Sequence, residues 1–210
     1  MNRIITFTLI LLSSCLFAQD LDTIRLYPPD LKSGKLLMQA LQERKSTRAY
    51  ADKELTLADL SNLLWAANGI NRPEEGKRTA PTARNRQELD IYVVLKKGIY
   101  FYDAVKSLLV PVAAGDYRAQ AGMQDYVATA PVNLIFVSDL EKLGGNDADQ
   151  ECSSRTNVGY ISQNVYLYCA SAGLGTVAWG SVQKERLSTT MKLRPGQMII
   201  LAQSVGYPKE

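Results

Sequence analysis

At 210 residues, with 46% hydrophobic and 21% charged residues, the chain has the composition of one globular domain with a substantial core. Its 24 basic and 21 acidic residues leave a formal net charge of +3, which argues against nucleic acid or an anionic membrane surface as a partner. Histidine is absent, so a Ser-His-Asp triad is excluded, no metal site is assigned, and the side chain most used for proton transfer near neutral pH is missing.

The N-terminus opens with Met1-Asn2-Arg3, runs through mostly apolar residues from Ile4 to Phe17, and turns polar at Gln19-Asp20. That order predicts a secretory signal over residues 1–19, and the run is too short to span a membrane comfortably. Two processing readings stay open. Leu12-Ser13-Ser14-Cys15 has the lipoprotein pattern, which would put a lipid on Cys15 as the only membrane contact. The apolar Leu16-Phe17 beyond it favours ordinary cleavage near Ala18 or Gln19. Either route predicts an exported protein, in the periplasm or cell envelope.

Residues 20–32, with Pro28-Pro29, read as an extended arm, and residues 33–210 as one domain. Ser33 is a plausible N-cap for a helix with Leu36, Leu37, Ala40, Leu41 and Arg44 at helical spacing. A second helix opens at Thr56-Leu57-Ala58-Asp59, a capping-box spacing with Asp in place of Glu, and stops at Asn68-Gly69. Asn71 to Arg78 is polar with Pro and Gly, and reads as a loop. Leu89–Leu95 and Ile99–Tyr102 read as hairpin strands joined by Lys96-Lys97-Gly98. Val132–Val137 is an apolar interior strand, and Val158, Ile161, Val165, Tyr168 and Ala172 recur as the face of a buried helix ending at Gly173 or Gly175. A final strand covers Met198–Gln203. This order predicts an α+β sandwich rather than an alternating parallel sheet.

Export would permit a disulfide between Cys152 and Cys169. Both fall in or beside one helical stretch, where about 1.5 Å of rise per residue puts them roughly 25 Å apart, beyond the ~7 Å Cα limit. Two free thiols are expected.

Three clusters carry possible chemistry. In Arg44-Lys45-Ser46-Thr47-Arg48, guanidinium forks, an ammonium and a hydroxyl suit a phosphate, although a helix C-terminus also favours a plain basic turn. In Ala80-Pro81-Thr82-Ala83-Arg84-Asn85-Arg86-Gln87, small residues permit close approach of a ligand, and the Asn85 and Gln87 amides could meet a heteroaromatic edge; ordinary turn chemistry fits as well. In Ala172 to Ser181, Gly173 and Gly175 are explained by a helix cap followed by a strand, which leaves Gly180 less well explained.

Those clusters, together with Tyr126-Val127-Ala128-Thr129-Ala130-Pro131-Val132, Gly173-Leu174-Gly175-Thr176 and Val205-Gly206-Tyr207-Pro208, occur in an order that resembles the nitroreductase-like flavoprotein superfamily. Within it the chain is most similar to the azoline dehydrogenase branch of thiazole- and oxazole-forming peptide synthetases. The resemblance implies an FMN-binding α+β fold, helices around a mostly antiparallel central sheet, in an intertwined homodimer with flavins at the subunit interface. It implies that Arg44, Lys45, Ser46 and Arg48 contact the phosphate and ribityl chain. Pro81, Thr82, Ala83 and Asn85 would reach the flavin from the partner subunit, and Ala178, Trp179, Gly180 and Ser181 would run along the isoalloxazine. Because the flavin performs the hydride chemistry in this family, the missing histidine is no obstacle and no catalytic side chain is assigned.

Three departures stand out. Gln87-Glu88-Leu89 replaces the family's Gln-Pro-Trp, only Lys209 could serve as the late basic residue on the phosphate, and the Lys-Tyr pair of azoline oxidation has no clear counterpart, so peptide-azole synthesis is not expected. The expected function is an exported FMN-dependent oxidoreductase moving hydride or electrons to or from a small organic substrate. NADH and NADPH are cytoplasmic, so the electron donor stays open. A non-catalytic FMN carrier and a flavin-fragmenting enzyme remain alternatives.

Overall fold

The computed structural model describes residues 21–209, so the signal reading, Cys15 and Glu210 lie outside the described residues. In chain order the elements are β1 (Ile24–Arg25), α1 (Leu37–Glu43), α2 (Leu57–Asn68), β2 (Ile70–Arg72), β3 (Lys77–Arg78), β4 (Leu89–Leu95), β5 (Gly98–Asp103), β6 (Leu108–Ala114), α3 (Arg118–Ala121), α4 (Asp125–Thr129), β7 (Val132–Asp139), α5 (Asp147–Ala172), β8 (Gly175–Trp179), α6 (Lys184–Thr190) and β9 (Gln197–Gly206). One sheet runs β1-β6-β5-β4-β7-β9-β8 with every neighbouring pair antiparallel. The fold is therefore α+β with an antiparallel centre, as the order of elements predicts.

The sheet is covered on both faces. Leu89, Ile91 and Val93 of β4 and Leu134 and Phe136 of β7 share a core with Leu63 and Leu64 of α2 and Ile161 and Val165 of α5. Tyr92, Val94, Ile135 and Val137 alternate to the other side, where they meet Ala121, Val127 and Leu187. A strand buried on both faces reads as a continuous apolar run, which is why Val132–Val137 looks interior in the sequence.

Several boundaries move for identifiable reasons. The first helix starts at Leu37, and Leu36 occupies the cap position without a side-chain bond. Ser33 cannot cap it, because Gly34 turns the chain at φ 101° and Lys35 N–H donates to Ser171 Oγ at 2.7 Å. Thr56 does cap α2, accepting from Asp59 N–H. The stretch expected as a loop over Asn71–Arg78 is a short ribbon, β2 paired with β3 around a left-handed Gly76.

Strand β6 escapes the sequence patterns because Pro111 lies within it. β1 pairs with β6 only at Leu108 and Leu109, so Pro111 sits on an open edge where no ladder N–H is needed. Of the arm expected over residues 20–32, the described part from residue 21 is extended and pinned: Leu26 is buried, and Tyr27 N–H donates to Ser61 Oγ at 2.9 Å.

Helix α5 begins far ahead of its apolar stripe, at an Asn146 cap that accepts from Asp149 N–H, and closes at Gly173 with φ 71°. It holds both cysteines, Cys152 exposed and Cys169 buried, and both are free. Burial pushes the Cys169 thiol well up from its ordinary range, and thiolate is the reactive form. Iodoacetamide treatment of the native protein should leave Cys169 unmodified by peptide mass mapping, and denaturant should expose it.

A buried polar chain fixes β8 against its neighbours. Trp179 Nε1 donates to Ser204 Oγ at 2.9 Å, and Ser204 Oγ donates to Asn133 Oδ1 at 2.6 Å. Ser162 Oγ donates to Gln203 Oε1 at 2.9 Å, and Gln203 Nε2 donates to Thr176 Oγ1 at 3.1 Å. Bonds of this kind define one arrangement of β8, β9 and α5, because breaking any of them strands a buried polar group.

Candidate functional site

After α1 the chain extends and lies beside β8. Thr47 N–H donates to Thr176 O at 2.9 Å, and Ser46 forms a parallel bridge with Thr176. Gly175 permits this approach, because a Cβ there would come within 2.7 Å of Thr47 Cγ2. Farther on, Tyr50 bridges to Pro208, and a Cβ on Gly206 would strike Pro131 Cδ at 2.6 Å. The separate sequence blocks around residues 44–50, 130–132, 173–176 and 205–208 thus converge on one end of the sheet.

In an extended segment successive side chains face opposite ways. Ser46 Oγ lies 3.1 Å from the Tyr166 hydroxyl, and the Arg44 guanidinium sits 5.4 Å from the centre of the Tyr166 ring. Arg48 stands beside Tyr126, whose phenol is pushed up first by burial and drawn back by that guanidinium. Lys45 and Thr47 line a cavity of about 170 Å³ with Leu174, Cys169 and one side of Tyr166. Lys209 is elsewhere, bordering a cavity of about 660 Å³ with Tyr50, Asp52 and Arg118. Along the basic segment Arg44 and Ser46 meet Tyr166, Arg48 meets Tyr126, and Lys45 turns to the cavity it shares with Thr47 and Leu174.

Tyr166 is the residue that sequence reasoning missed. Its hydroxyl also accepts from Ala178 N–H at 2.9 Å, so it joins the basic segment to the stretch after β8. Only its position next to Val165 on the buried stripe hinted at it, since a tyrosine there reads equally as core.

The 178–181 stretch contributes less side chain than expected. Trp179 is turned inward, 5% exposed, with its ring against Gly122 and its Nε1 bonded to Ser204; it has only backbone to offer a ligand. Ala178 N–H is already used by Tyr166. Gly180 and Ser181 are exposed, and a Cβ on Gly180 would meet nothing within 4 Å. The open space at Gly180 lets a flat group lie against the backbone.

The loop holding Pro81, Thr82, Ala83 and Asn85 is strained. Arg84, Asn85 and Gln87 all have positive φ, at 55°, 54° and 48°, a cost that marks functional loops more than ordinary turns. Gln87 is committed to holding this shape: its N–H donates to Thr82 Oγ1, its Nε2 to Asn85 Oδ1 and Gly76 O, and its Oε1 accepts from Arg78 Nε. Its amide is therefore not the ring-edge group the sequence suggested. Glu88, in the Gln87-Glu88-Leu89 stretch that departs from the family's Gln-Pro-Trp, is fully buried and accepts from Asn157 Nδ2 at 2.7 Å.

Ala83 and Arg84 line a cavity of about 420 Å³ with Gly144, Gly145 and Cys152 at the start of α5. Tyr166 lies 14 residues farther along that helix, or roughly 21 Å at 1.5 Å per residue. Within one chain, this loop and the basic segment do not share a site.

Arg44, Ser46 and Arg48 offer donors suited to a phosphate, and Tyr166 links Ser46 to Ala178, two residues before the open backbone at Gly180 that suits a planar ring. The residues fit a phosphorylated flavin. Residues 41–207 match the protein-family model described as the nitroreductase family. A candidate nitroreductase of Methanocaldococcus jannaschii is 31% identical over 191 residues, covering 86% of this chain and 96% of the relative. The crystal structure of a candidate nitroreductase from Ralstonia eutropha JMP134 superposes with a TM-score of 0.85 at 40% identity, covering 90% of each chain. The Escherichia coli microcin synthetase McbBCD complex has the same fold, with a TM-score of 0.71 at 18% identity over 99% of this chain and 85% of that one.

Proposed function

Because the chain belongs to the nitroreductase family of oxidoreductases, we propose that it is an FMN-dependent oxidoreductase acting as a homodimer on a small organic substrate. The observation that carries this reading is the seating of the Arg44–Arg48 segment on β8 at Thr176, with Arg44 and Ser46 at Tyr166, whose hydroxyl in turn holds Ala178 of β8. Arg44 and Arg48 would hold the phosphate by charge-assisted bonds, and Ser46 would donate to it or to the ribityl chain. Gly180 and Ser181 would border the ring. When bound, FMN supplies hydride and single-electron chemistry; the polypeptide binds, orients and shields it.

Two features support the homodimer. The strained Pro81–Asn85 loop sits at the opposite end of α5 from the basic segment, so it could join a flavin site only through a second copy. Leu37, Met38 and Leu41 on α1 are 62%, 74% and 43% exposed, an apolar face that a second copy could cover.

Export belongs to this proposal and is supported by the positive, apolar, polar order of residues 1–20. An exported enzyme would not meet NADH or NADPH, which makes a quinone, an envelope redox partner or an oxidisable substrate the electron donor. The absorbance spectrum of purified protein should show bound flavin, mass spectrometry of the extract should identify FMN, and light scattering should report a dimer. Colourless protein with no FMN affinity defeats the reading. Rapid bleaching by NADH, together with cytoplasmic fractionation of the native protein, defeats export. Yellow protein that no donor reduces indicates a carrier, and fragmented flavin after aerobic reduction indicates a flavin-cutting enzyme.

A further inference from the structure

We propose that Tyr166 is a positioning residue that turns Ser46 into an obligate hydrogen-bond donor toward the cofactor; this rests on the FMN reading above. A hydroxyl carries one proton and two acceptor lone pairs. Ala178 N–H donates to the Tyr166 oxygen at 2.9 Å, and Ser46 Oγ lies 3.1 Å from the same oxygen. In the bond between the two hydroxyls either could donate, and the local chemistry favours the tyrosine. A phenol is the stronger donor and weaker acceptor, because its oxygen lone pair is delocalised into the ring. The bond already accepted from Ala178 strengthens this polarity, since hydrogen bonds in a chain polarise one another.

With Tyr166 donating to Ser46, the serine's own proton is left to point away from Tyr166. The relay runs from Ala178 N–H to the Tyr166 hydroxyl, then to the Ser46 hydroxyl, then to an acceptor oxygen of the ligand. An anionic acceptor rewards this direction, whereas a serine that spent its proton on Tyr166 would present lone pairs to the anion. The Arg44 guanidinium over the Tyr166 ring, 5.4 Å from its centre, holds the ring by a cation–π contact. It also sets a positive charge beside the same pair of hydroxyls. Tyr166 further ties the 44–48 segment to the 178–181 stretch, so the two walls of the site keep their spacing.

The test is a cycle of FMN affinities, measured by quenching of flavin fluorescence in the full chain, for wild type, Tyr166→Phe, Ser46→Ala and the double variant. Phenylalanine keeps the ring and its contact with Arg44 and removes only the hydroxyl. Tyr166→Phe should weaken FMN binding by about tenfold, and this effect should vanish in the Ser46→Ala background. A general loosening of the fold would weaken binding in both backgrounds, and that result overturns the proposal, as does a Tyr166→Phe variant that binds like wild type. Wild-type protein that fails to bind FMN overturns the functional reading together with this one, whereas wild-type binding with an unaffected Tyr166→Phe overturns the role of Tyr166 alone.

Discussion

Arg48→Ala is expected to weaken FMN binding by tenfold to a hundredfold or more, because a hydrogen bond to a charged group contributes about 1.5–3 kcal/mol and tenfold corresponds to about 1.4 kcal/mol. Arg44→Ala should fall in the same range. Lys45→Ala should cost less, since Lys45 alternates away from Ser46 and lines, with Thr47 and Leu174, a cavity that neither Arg44 nor Ser46 lines. Fluorescence titration with FMN and with riboflavin identifies the part of the ligand involved. A residue on the phosphate loses affinity for FMN and little for riboflavin, while one on the ring loses both. If Arg44→Ala and Arg48→Ala both bind FMN as wild type does, the segment is an ordinary basic turn at the end of a helix.

The largest effect on stability is expected from Phe136→Ala, at about 3–5 kcal/mol. Phe136 is fully buried on β7, opposite Ile91 of β4 on one side and Leu201 of β9 on the other. Its ring packs in the core shared with α2 and α5, and the surrounding strands cannot close over the lost volume without breaking their ladders. Urea denaturation followed by circular dichroism measures the change. A shift below 1 kcal/mol would mean that β7 is not the centre of the sheet. Because β4 follows the Pro81–Asn85 loop directly and β9 supports β8, flavin affinity should fall in step with the lost stability.

Much of the fold was legible from local pattern. Thr56 and Asp59 announce α2, the Lys96-Lys97 turn announces the β4–β5 hairpin, and the apolar run at Val132–Val137 announces a strand buried on both faces. Elements without such a signal were missed. β6 carries a proline that only its edge position makes tolerable, and the first half of α5, from Asp147 to Thr156, has polar residues where an apolar stripe would have marked it. The site divides the same way. The basic segment and the glycines stand out in composition, but their companions do not: Tyr166 is 120 residues from Ser46, and its place beside Val165 reads equally as core.

The sequence by itself determined the α+β class, the donor residues suited to a phosphate and the separation of Cys152 from Cys169, because each follows from residue type and short-range spacing, and the order of its blocks carried the resemblance to the family. The tertiary structure decided which way each of those donors faces. It separated Lys45 from Arg44 and Ser46 through the alternation of an extended strand, turned Trp179 and Glu88 into the core, and committed the Gln87 amide to the strained loop. It also brought Tyr166 between Ser46 and Ala178. Such pairings depend on strand register and on the packing of α5 across the sheet, which are set by burial and hydrogen bonding between distant segments and leave no trace in local order.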